Sequence, residues 1–366
     1  MSKLFKPLNM GSVQLQHRVS MAPLTRLRAD EQAVPLPMVA EYYQQRASVP
    51  GTFLISEATL ISKAALSTDN IPAIYTDAQI KRWNEVTDAV HEKGSSIYCQ
   101  LWHQGRAGQP EVYKKNGGKF VSASAIPMND ESPVPEEMTE DDIRATIQEY
   151  ATAAKNAIKA GFDGIELHAA NGYLIDQFLQ DVSNHRTDAW GGSIEKRAKF
   201  PLEVTKAVVD AIGADKVGIR LSPFSDFQGM CMKDPFPQFE YFVKQLKPLK
   251  LAYLHLVEAR ISGNVESDHA AGRELDFLVK LWDNQSPIIV AGGFSRETAL
   301  NVVDEKYKDY DIAVAFGRHF IANPDLPFRL EKDLPLTKYD RSTFYTPKSP
   351  EGYIDLPFSK EFKAQI

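Results

Sequence analysis

The chain has only two cysteines, Cys99 and Cys231, among its 366 residues. Two are too few for a disulfide framework, an iron–sulfur cluster or a four-cysteine zinc site. Such sparing use of cysteine is typical of a reduced protein, so we predict a cytoplasmic location. The N-terminal sequence M-S-K-L-F-K-P-L does not have the apolar core of a signal peptide, in agreement with this prediction.

Long apolar runs and positive charge are also scarce. No window approaches the roughly 18 continuous apolar residues that a membrane-spanning helix needs, so we predict no membrane partner. The 42 Lys and Arg against 48 Asp and Glu give a net charge of −6, which excludes the basic surface used to bind nucleic acid. With 43% hydrophobic residues, we expect a globular protein that acts on small molecules as a monomer or homodimer.

Apolar runs typical of buried strands alternate with helix-like segments along the chain. We count eight such runs, marked by Val19, Phe53, Ile97, Ile165, Val217, Leu251, Ile288 and Ile312. Eight strands close a (β/α)₈ barrel, so we predict an α/β fold, a single TIM-barrel domain over residues 1–366. A doubly wound open sheet is the alternative. It would carry a glycine-rich nucleotide-binding turn after its first strand, whereas the glycine pairs of this chain come late.

Three segments extend the predicted barrel. Extended pieces around Leu4–Leu8 and Ser12–Leu15 predict a β-hairpin that caps its bottom. Residues 103–138, after the third strand, are rich in Gly, Pro and Ser and far exceed the usual connection length, so we predict a lid or substrate-gating loop. A plain surface excursion is the alternative. Residues 335–366 form a C-terminal extension.

Three helices are the clearest. We predict helices over Met38–Arg46 and Ile194–Ile212. Thr139 and Asp142 form a capping-box pattern at the start of a third. Its predicted buried stripe is Ile143, Ile147, Tyr150, Ala154 and Ile158, and Gly161 ends it.

Polar side chains begin where the strand-like run from Asp163 ends, at His168, Asn171 and Tyr173. Two hydrogen-bond donors followed by a phenol can hold a substrate oxygen and deliver a proton. The alternative for His168 is a structural role, as a core histidine that is hydrogen-bonded to the backbone. The spacing argues against a metal site, because no second ligand stands at a recognised distance, and the serine-hydrolase motif G-x-S-x-G is missing.

The active site of a barrel lies at the carboxyl ends of its strands. The candidate residues there are Thr25, Ala58, Gln100, Trp102, His168, Asn171, Tyr173, Arg220, Gly292, Gly293, Gly317 and Arg318. Arg220 faces inward and needs a compensating charge, from Glu57 or Glu166, or else it faces an electron-rich ligand. The four last residues follow the seventh and eighth strands, where barrels commonly bind phosphate.

Seven motifs spread over the chain resemble those of the Old Yellow Enzyme family of flavin-dependent ene-reductases, of fungal or bacterial type. They are M-A-P-L-T-R from Met21, Q-L-W-H-Q-G-R from Gln100, E-L-H-A-A-N-G-Y-L from Glu166, N-H-R-T-D-A-W-G-G-S-I-E-K-R from Asn184, G-I-R-L-S-P from Gly218, A-G-G-F from Ala291 and F-G-R from Phe316. Each motif is weak alone, but seven in order are specific.

The resemblance implies a non-covalent FMN in the barrel mouth. Pro23, Leu24, Thr25 and Ala58 would line its ring system, with the Thr25 hydroxyl on the O4 edge and Gln100 on the pyrimidine edge. Arg220 would lie near N1 and the C2 carbonyl, where negative charge collects on reduction. Gly292, Gly293, Gly317 and Arg318 would bind the phosphate.

The resemblance also implies a ping-pong cycle in which NADPH reduces FMN and hydride then passes from N5 to the C=C bond of an α,β-unsaturated carbonyl or nitro compound. His168 and Asn171 would hold the substrate oxygen, and Tyr173 would protonate the α-carbon; a phenol with a pKa near ~10 is protonated at neutral pH. Trp102 and Tyr345, with Phe344 at the rim, would contact the substrate.

Two departures from the family pattern concern one loop, where Trp190 and Lys196 replace the usual tyrosine and asparagine; we expect a structural role there. Some fungal relatives carry phenylalanine in place of the proton donor and favour isomerisation, whereas Tyr173 indicates reduction. The alternatives are a non-catalytic flavin-binding scaffold, a flavin-free phosphate-binding barrel lyase or aldolase, and a dienoyl-CoA-type reductase. A lysine at a strand end would favour the lyase, and more cysteines the reductase; the sequence shows neither.

Overall fold

A computed structural model describes residues 2–263, 265–266 and 272–365. Its strands are β1 Leu8–Met10, β2 Val13–Leu15, β3 Val19–Met21, β4 Phe53–Ile55, β5 Thr59–Leu60, β6 Ser96–Trp102, β7 Val121–Ser122, β8 Glu136–Glu137, β9 Gly164–Ala169, β10 Val217–Leu221, β11 Tyr253–Val257, β12 Ile261–Ser262, β13 Val265–Glu266, β14 Ile288–Ala291 and β15 Ile312–Phe316. Its α-helices are α1 Met38–Arg46, α2 Asp77–His91, α3 Pro110–Lys115, α4 Glu140–Lys159, α5 Leu174–Leu179, α6 Ile194–Ile212, α7 Phe236–Leu246, α8 Asp276–Trp282, α9 Arg296–Asn301, α10 Arg318–Ala322, α11 Leu326–Lys332 and α12 Lys360–Lys363.

Eight parallel strands close into a barrel. Their order is β4-β3-β15-β14-β11-β10-β9-β6, and a further pairing of β4 with β6 completes the circle. The predicted eight-stranded α/β barrel is therefore confirmed. Seven of the eight strand markers lie inside these strands, while Leu251 lies just before β11, and β5 pairs with β6 as an additional short strand.

The barrel strands are buried on both faces, because the helices cover the outside and side chains fill the inside. All six residues of β9 are buried. Near the bottom, the interior is filled by the rings of Phe53, Tyr98 and Tyr253, whose centroids lie 4.9 to 5.7 Å apart. Gly164 and Gly218 leave the room for two of these rings, since a Cβ on Gly218 would lie 2.2 Å from the Tyr253 ring.

The N-terminal hairpin is formed by β1 and β2, and its Leu8, Met10 and Leu15 pack on the same aromatic cluster, so it covers the bottom of the barrel. The prediction placed the first arm too early. Lys3–Phe5 is a turn of 3₁₀-helix because the Ser2 hydroxyl accepts the N–H of Leu4 and caps it.

The segment 103–138 has more local structure than its composition indicated. It contains α3 and the parallel pair of β7 and β8. Arg106, which is buried, donates to the carbonyl oxygens of Ile126, Pro127, Gln228 and Gly229 at 3.1 to 3.3 Å. These bonds attach the segment to the loop after β10, and its role as a lid stays a prediction.

The three predicted helices are α1, α6 and α4. The first two have the predicted bounds, and α4 begins with a complete capping box between Thr139 and Asp142. Four residues of its predicted stripe are buried and Ile158 is half-buried. Within the described parts of the chain, no helix is long and apolar enough to cross a membrane.

Candidate active site

A cavity of about 420 Å³ opens at the carboxyl ends of the barrel strands. Every candidate site residue from the sequence lines it, as does the rim residue Phe344: Pro23, Leu24, Thr25, Ala58, Gln100, Trp102, His168, Asn171, Tyr173, Arg220, Gly292, Gly293, Gly317, Arg318 and Tyr345. Eight different strands and their loops contribute to one space, although these residues span more than 300 positions of the chain.

The turn after β9 aims its polar groups into the cavity. Asn171 has a φ of 58° and Gly172 a φ of 75°, so the chain reverses through two left-handed residues, a conformation that asparagine and glycine tolerate. The backbone N–H of Asn171 donates to the Ser222 hydroxyl at 2.7 Å, and that of Gly172 to Asp176 at 2.9 Å. The turn is thereby fixed, and Tyr173 follows at the start of α5.

Three rings form one wall. The Tyr173 ring stands edge-on to Trp102 at 4.7 Å and to His168 at 4.8 Å between centroids. Among the described residues, Trp102 Nε1, His168 Nδ1 and Asn171 Oδ1 are buried and have no hydrogen-bond partner. Buried polar groups are usually satisfied, so such a cluster indicates a ligand that completes them.

Burial determines the protonation of these groups. Burial, aided by the charge of Arg220, holds the pKa of His168 well below its ordinary value. Its imidazole is therefore neutral at physiological pH. Burial also raises the pKa of Tyr173 to about 12, so its phenol keeps its proton. The pair can donate hydrogen bonds or a proton without carrying a charge of their own.

The structure decides which carboxylate faces Arg220. Burial lowers the pKa of Arg220, and the charge of Glu166 opposes that shift most strongly. Glu57 instead interacts electrostatically with Arg26 and Arg28. Arg220 is thus compensated from below by Glu166, while its Nε has no hydrogen-bond partner in the described residues. The interpretation that a carboxylate compensates Arg220 is therefore confirmed for Glu166, and the interpretation that Arg220 faces an electron-rich ligand stays a prediction.

Two glycines, Gly293 and Gly317, line the cavity together with Arg318. Gly293 has a φ of 66°, and a Cβ there would lie 3.2 Å from Nη2 of Arg318. A Cβ on Gly317 would lie 3.2 Å from the Leu24 side chain. Side chains at these two positions would therefore crowd the guanidinium and the cavity wall, and glycine avoids both contacts.

Sequence reasoning missed Phe227 at the mouth. Phe227 is 38% exposed and Tyr345 is 49% exposed, and both line the cavity. The available signal was an aromatic residue in the loop after the fifth barrel strand, β10. Trp190, in contrast, is fully buried, donates to Glu140 and lies 4.0 Å from the Lys199 ammonium, away from the cavity lining.

Comparison with known proteins extends these observations. A model of the NADH:flavin oxidoreductase / NADH oxidase family matches residues 3–337. The chain is 56% identical to the chanoclavine-I aldehyde reductase fgaOx3 of Penicillium roqueforti, covering 100% of this chain and 99% of that protein. It is 52% identical to the NADP-dependent oxidoreductase lnbE of Aspergillus flavus, covering 99% and 97%. It is also 50% identical to a probable inactive reductase, easA, of Epichloe festucae var. lolii, covering 99% and 96%.

Solved structures show the same similarity. The Old Yellow Enzyme from Pichia sp. AKU4542 superposes with a TM-score of 0.91 at 37% identity, covering 98% of this chain and 94% of that one. Morphinone reductase superposes with a TM-score of 0.89 at 39% identity, covering 98% and 96%.

Proposed function

Because the chain belongs to the NADH:flavin oxidoreductase / NADH oxidase family and is an FMN-dependent oxidoreductase of the Old Yellow Enzyme type, we propose that it reduces the C=C bond of α,β-unsaturated carbonyl or nitro compounds with NADPH. The observation that carries the proposal is the convergence of neutral His168, Asn171 and protonated Tyr173 on one cavity.

The residues of the cavity fit FMN. Arg220 offers a cationic group beside Gln100, and the glycines near Arg318 leave space for a phosphate. Ala58 and Leu24 supply apolar wall for a flat ring system. Bound FMN supplies the hydride. We propose Pro23, Leu24, Thr25, Ala58, Gln100, Arg220, Gly292, Gly293, Gly317 and Arg318 as the residues that hold it.

The chain's own groups account for substrate activation. His168 and Asn171 hold the carbonyl or nitro oxygen, and their hydrogen bonds stabilise the negative charge that gathers there during reduction. Tyr173 supplies the proton to the α-carbon, since burial keeps its phenol protonated. Trp102 packs against both rings, orients them and, with Tyr345, borders the substrate.

An unsaturated aldehyde is the first substrate class to test. One relative is named as a chanoclavine-I aldehyde reductase and another, from Cladobotryum, as an aldehyde reductase. An aldehyde reductase can act on either the C=C or the C=O bond, and the two reactions give different products from an unsaturated aldehyde. Apolar aromatic groups at the mouth, Phe227 and Tyr345, favour bulky apolar substrates over small hydrated ones.

The test begins with colour. Purified protein supplemented with FMN and passed through a desalting column should keep flavin absorbance, and anaerobic NADPH should bleach it. Adding cinnamaldehyde should restore the absorbance and yield the saturated aldehyde. Protein that retains no FMN contradicts the cofactor placement, cinnamyl alcohol as the product contradicts C=C reduction, and flavin that no activated alkene reoxidises indicates the non-catalytic scaffold.

A further inference from the structure

A carboxylate lies in the barrel interior directly under the cavity. Glu166, on β9, is fully buried and accepts hydrogen bonds from Gln100 Nε2 at 2.8 Å and the Tyr253 hydroxyl at 3.1 Å. His255 Nδ1 lies 2.7 Å from its second oxygen. Although burial opposes it, the hydrogen bonds from His255 and Gln100 and the charge of Arg220 hold the pKa of Glu166 below its ordinary value, so the carboxylate stays charged.

The strand registers bring these groups together. Gln100 on β6 and Gly218 on β10 are the neighbours of Glu166, and Tyr253 is the next partner of Gly218. One layer higher, Arg220 lies between His168 and His255. Because Gly218 has no side chain, the Tyr253 ring can reach across the barrel to Glu166.

Two of the four groups that face Glu166 also line the cavity. Arg220 is paired electrostatically with Glu166, and Gln100 is oriented by its hydrogen bond to it. The other two, Tyr253 and His255, do not line the cavity and carry no charge, since burial raises the pKa of the tyrosine and lowers that of the histidine. The floor of the cavity therefore carries the positive charge of Arg220, which the negative charge of Glu166 partly offsets.

We propose that Glu166 is a positioning residue that tunes the reduction potential of bound FMN. It offsets the positive charge of Arg220 and fixes the Gln100 amide, and so makes reduction of FMN, which adds negative charge, less favourable than Arg220 alone would make it. The proposal rests on FMN occupying the cavity as described under the proposed function. It assigns to Glu166 no contact with substrate.

The test is the midpoint potential of the FMN holoenzyme at pH 8, measured by anaerobic spectral titration against a reference dye. In Glu166→Gln the offsetting charge is gone, and the reduction equilibrium should shift about tenfold towards reduced FMN, about 30 mV for a two-electron couple. A shift below threefold, or one towards oxidised FMN, overturns the proposal. Retained FMN and an unchanged urea midpoint separate this effect from general damage.

The matched control is Glu57→Gln. Glu57 is equally buried, but its charged partners are Arg26 and Arg28, and it does not act on Arg220. Its removal should leave the reduction equilibrium within threefold of the wild type. A shift in Glu57→Gln as large as in Glu166→Gln would mean that any buried charge has this effect, and it would contradict the specific role of Glu166.

Two further variants test the role of Glu166. Glu166→Asp keeps the charge and should stay closer to the wild type than Glu166→Gln does. If Glu166→Gln does not fold, Tyr253→Phe tests the proposal instead. This variant removes one hydrogen-bond donor to Glu166 and so leaves the negative charge of the carboxylate less neutralised. The reduction equilibrium should then shift towards oxidised FMN. No shift, or the opposite shift, overturns the proposal. Wild-type protein that fails to bind FMN contradicts the cofactor placement instead, so the two failures are distinguishable.

Discussion

At the residue scale, Tyr173 has a separable role. Its ring packs against Trp102 and His168, and its hydroxyl is the proposed proton donor. Packing depends on the ring, which phenylalanine retains. Proton delivery depends on the hydroxyl, which phenylalanine lacks.

We therefore expect Tyr173→Phe to bind FMN and be reduced by NADPH at the wild-type rate, because neither step uses the hydroxyl. Reoxidation by a weakly activated enal should slow by roughly 10² or more, the usual contribution of a positioned proton donor. Stopped-flow absorbance of the two half-reactions separates the effects. A slowed first half-reaction with an unchanged second would show that the role is misassigned.

The sequence predicts that His168, Asn171 and Tyr173 lie together at the end of one strand, and the structure places all three in the cavity lining. The sequence also predicts that His168 is a neutral donor, but the physical cause of that neutrality is tertiary. The low pKa of His168 depends first on the depth of its burial and then on the charge of Arg220, 52 residues later in the chain.

At the element scale, the glycine at position 218 of β10 reflects the packing of the neighbouring strand, β11. Gly218 stands where the Tyr253 ring crosses the barrel, and that ring is held in turn by Phe53 and Tyr98. A glycine inside a strand usually costs stability, so its presence here reflects the close approach of a neighbour.

Gly218→Ala should lower the free energy of unfolding by about 1 to 3 kcal/mol, as overpacking of a core does. Urea denaturation followed by tryptophan fluorescence measures the loss. In a Tyr253→Leu background, where the ring is missing, the same substitution should cost much less. Equal costs in the two backgrounds would mean that the ring is not the cause.

At the scale of the whole molecule, the C-terminal extension is fastened to the barrel by buried arginines. Arg26 donates to the carbonyl oxygens of Phe344 and Gly352 at 3.0 and 2.7 Å, and Arg28 donates to that of Ser349 at 2.9 Å. The Arg28 guanidinium also lies 4.7 Å from the Tyr353 ring. We infer that the extension belongs to the same single domain and positions Tyr345 at the cavity mouth.

The same region sets a pH dependence of stability. Burial raises the pKa of Glu57, beside Arg26 and Arg28, to about 7. The unfolded chain releases this proton near its ordinary value, so the contribution to stability is complete below about pH 4.5 and is lost as pH rises to about 7. Replacing Glu57 by glutamine removes this loss.

Accordingly, the melting temperature of Glu57→Gln relative to the wild type should rise between pH 5 and pH 8. Differential scanning calorimetry across this range measures it. Glu41→Gln, at an exposed carboxylate on α1, is the control for the chemical change from glutamate to glutamine. A difference between Glu57→Gln and the wild type that does not change with pH would contradict the raised pKa.

The sequence by itself determined the barrel, since eight apolar runs alternating with helical segments leave few other ways to bury both faces of the strands. It also determined which residues stand at the strand ends, because the side-chain period of a strand is two. Only the tertiary structure decided which of them interact. The choice of Glu166 over Glu57 as the partner of Arg220 depends on the registers of β6, β9, β10 and β11, and the place of Phe227 at the mouth depends on how its loop packs. Those contacts join residues up to 89 positions apart, and spacing along the chain does not encode the distance across a barrel.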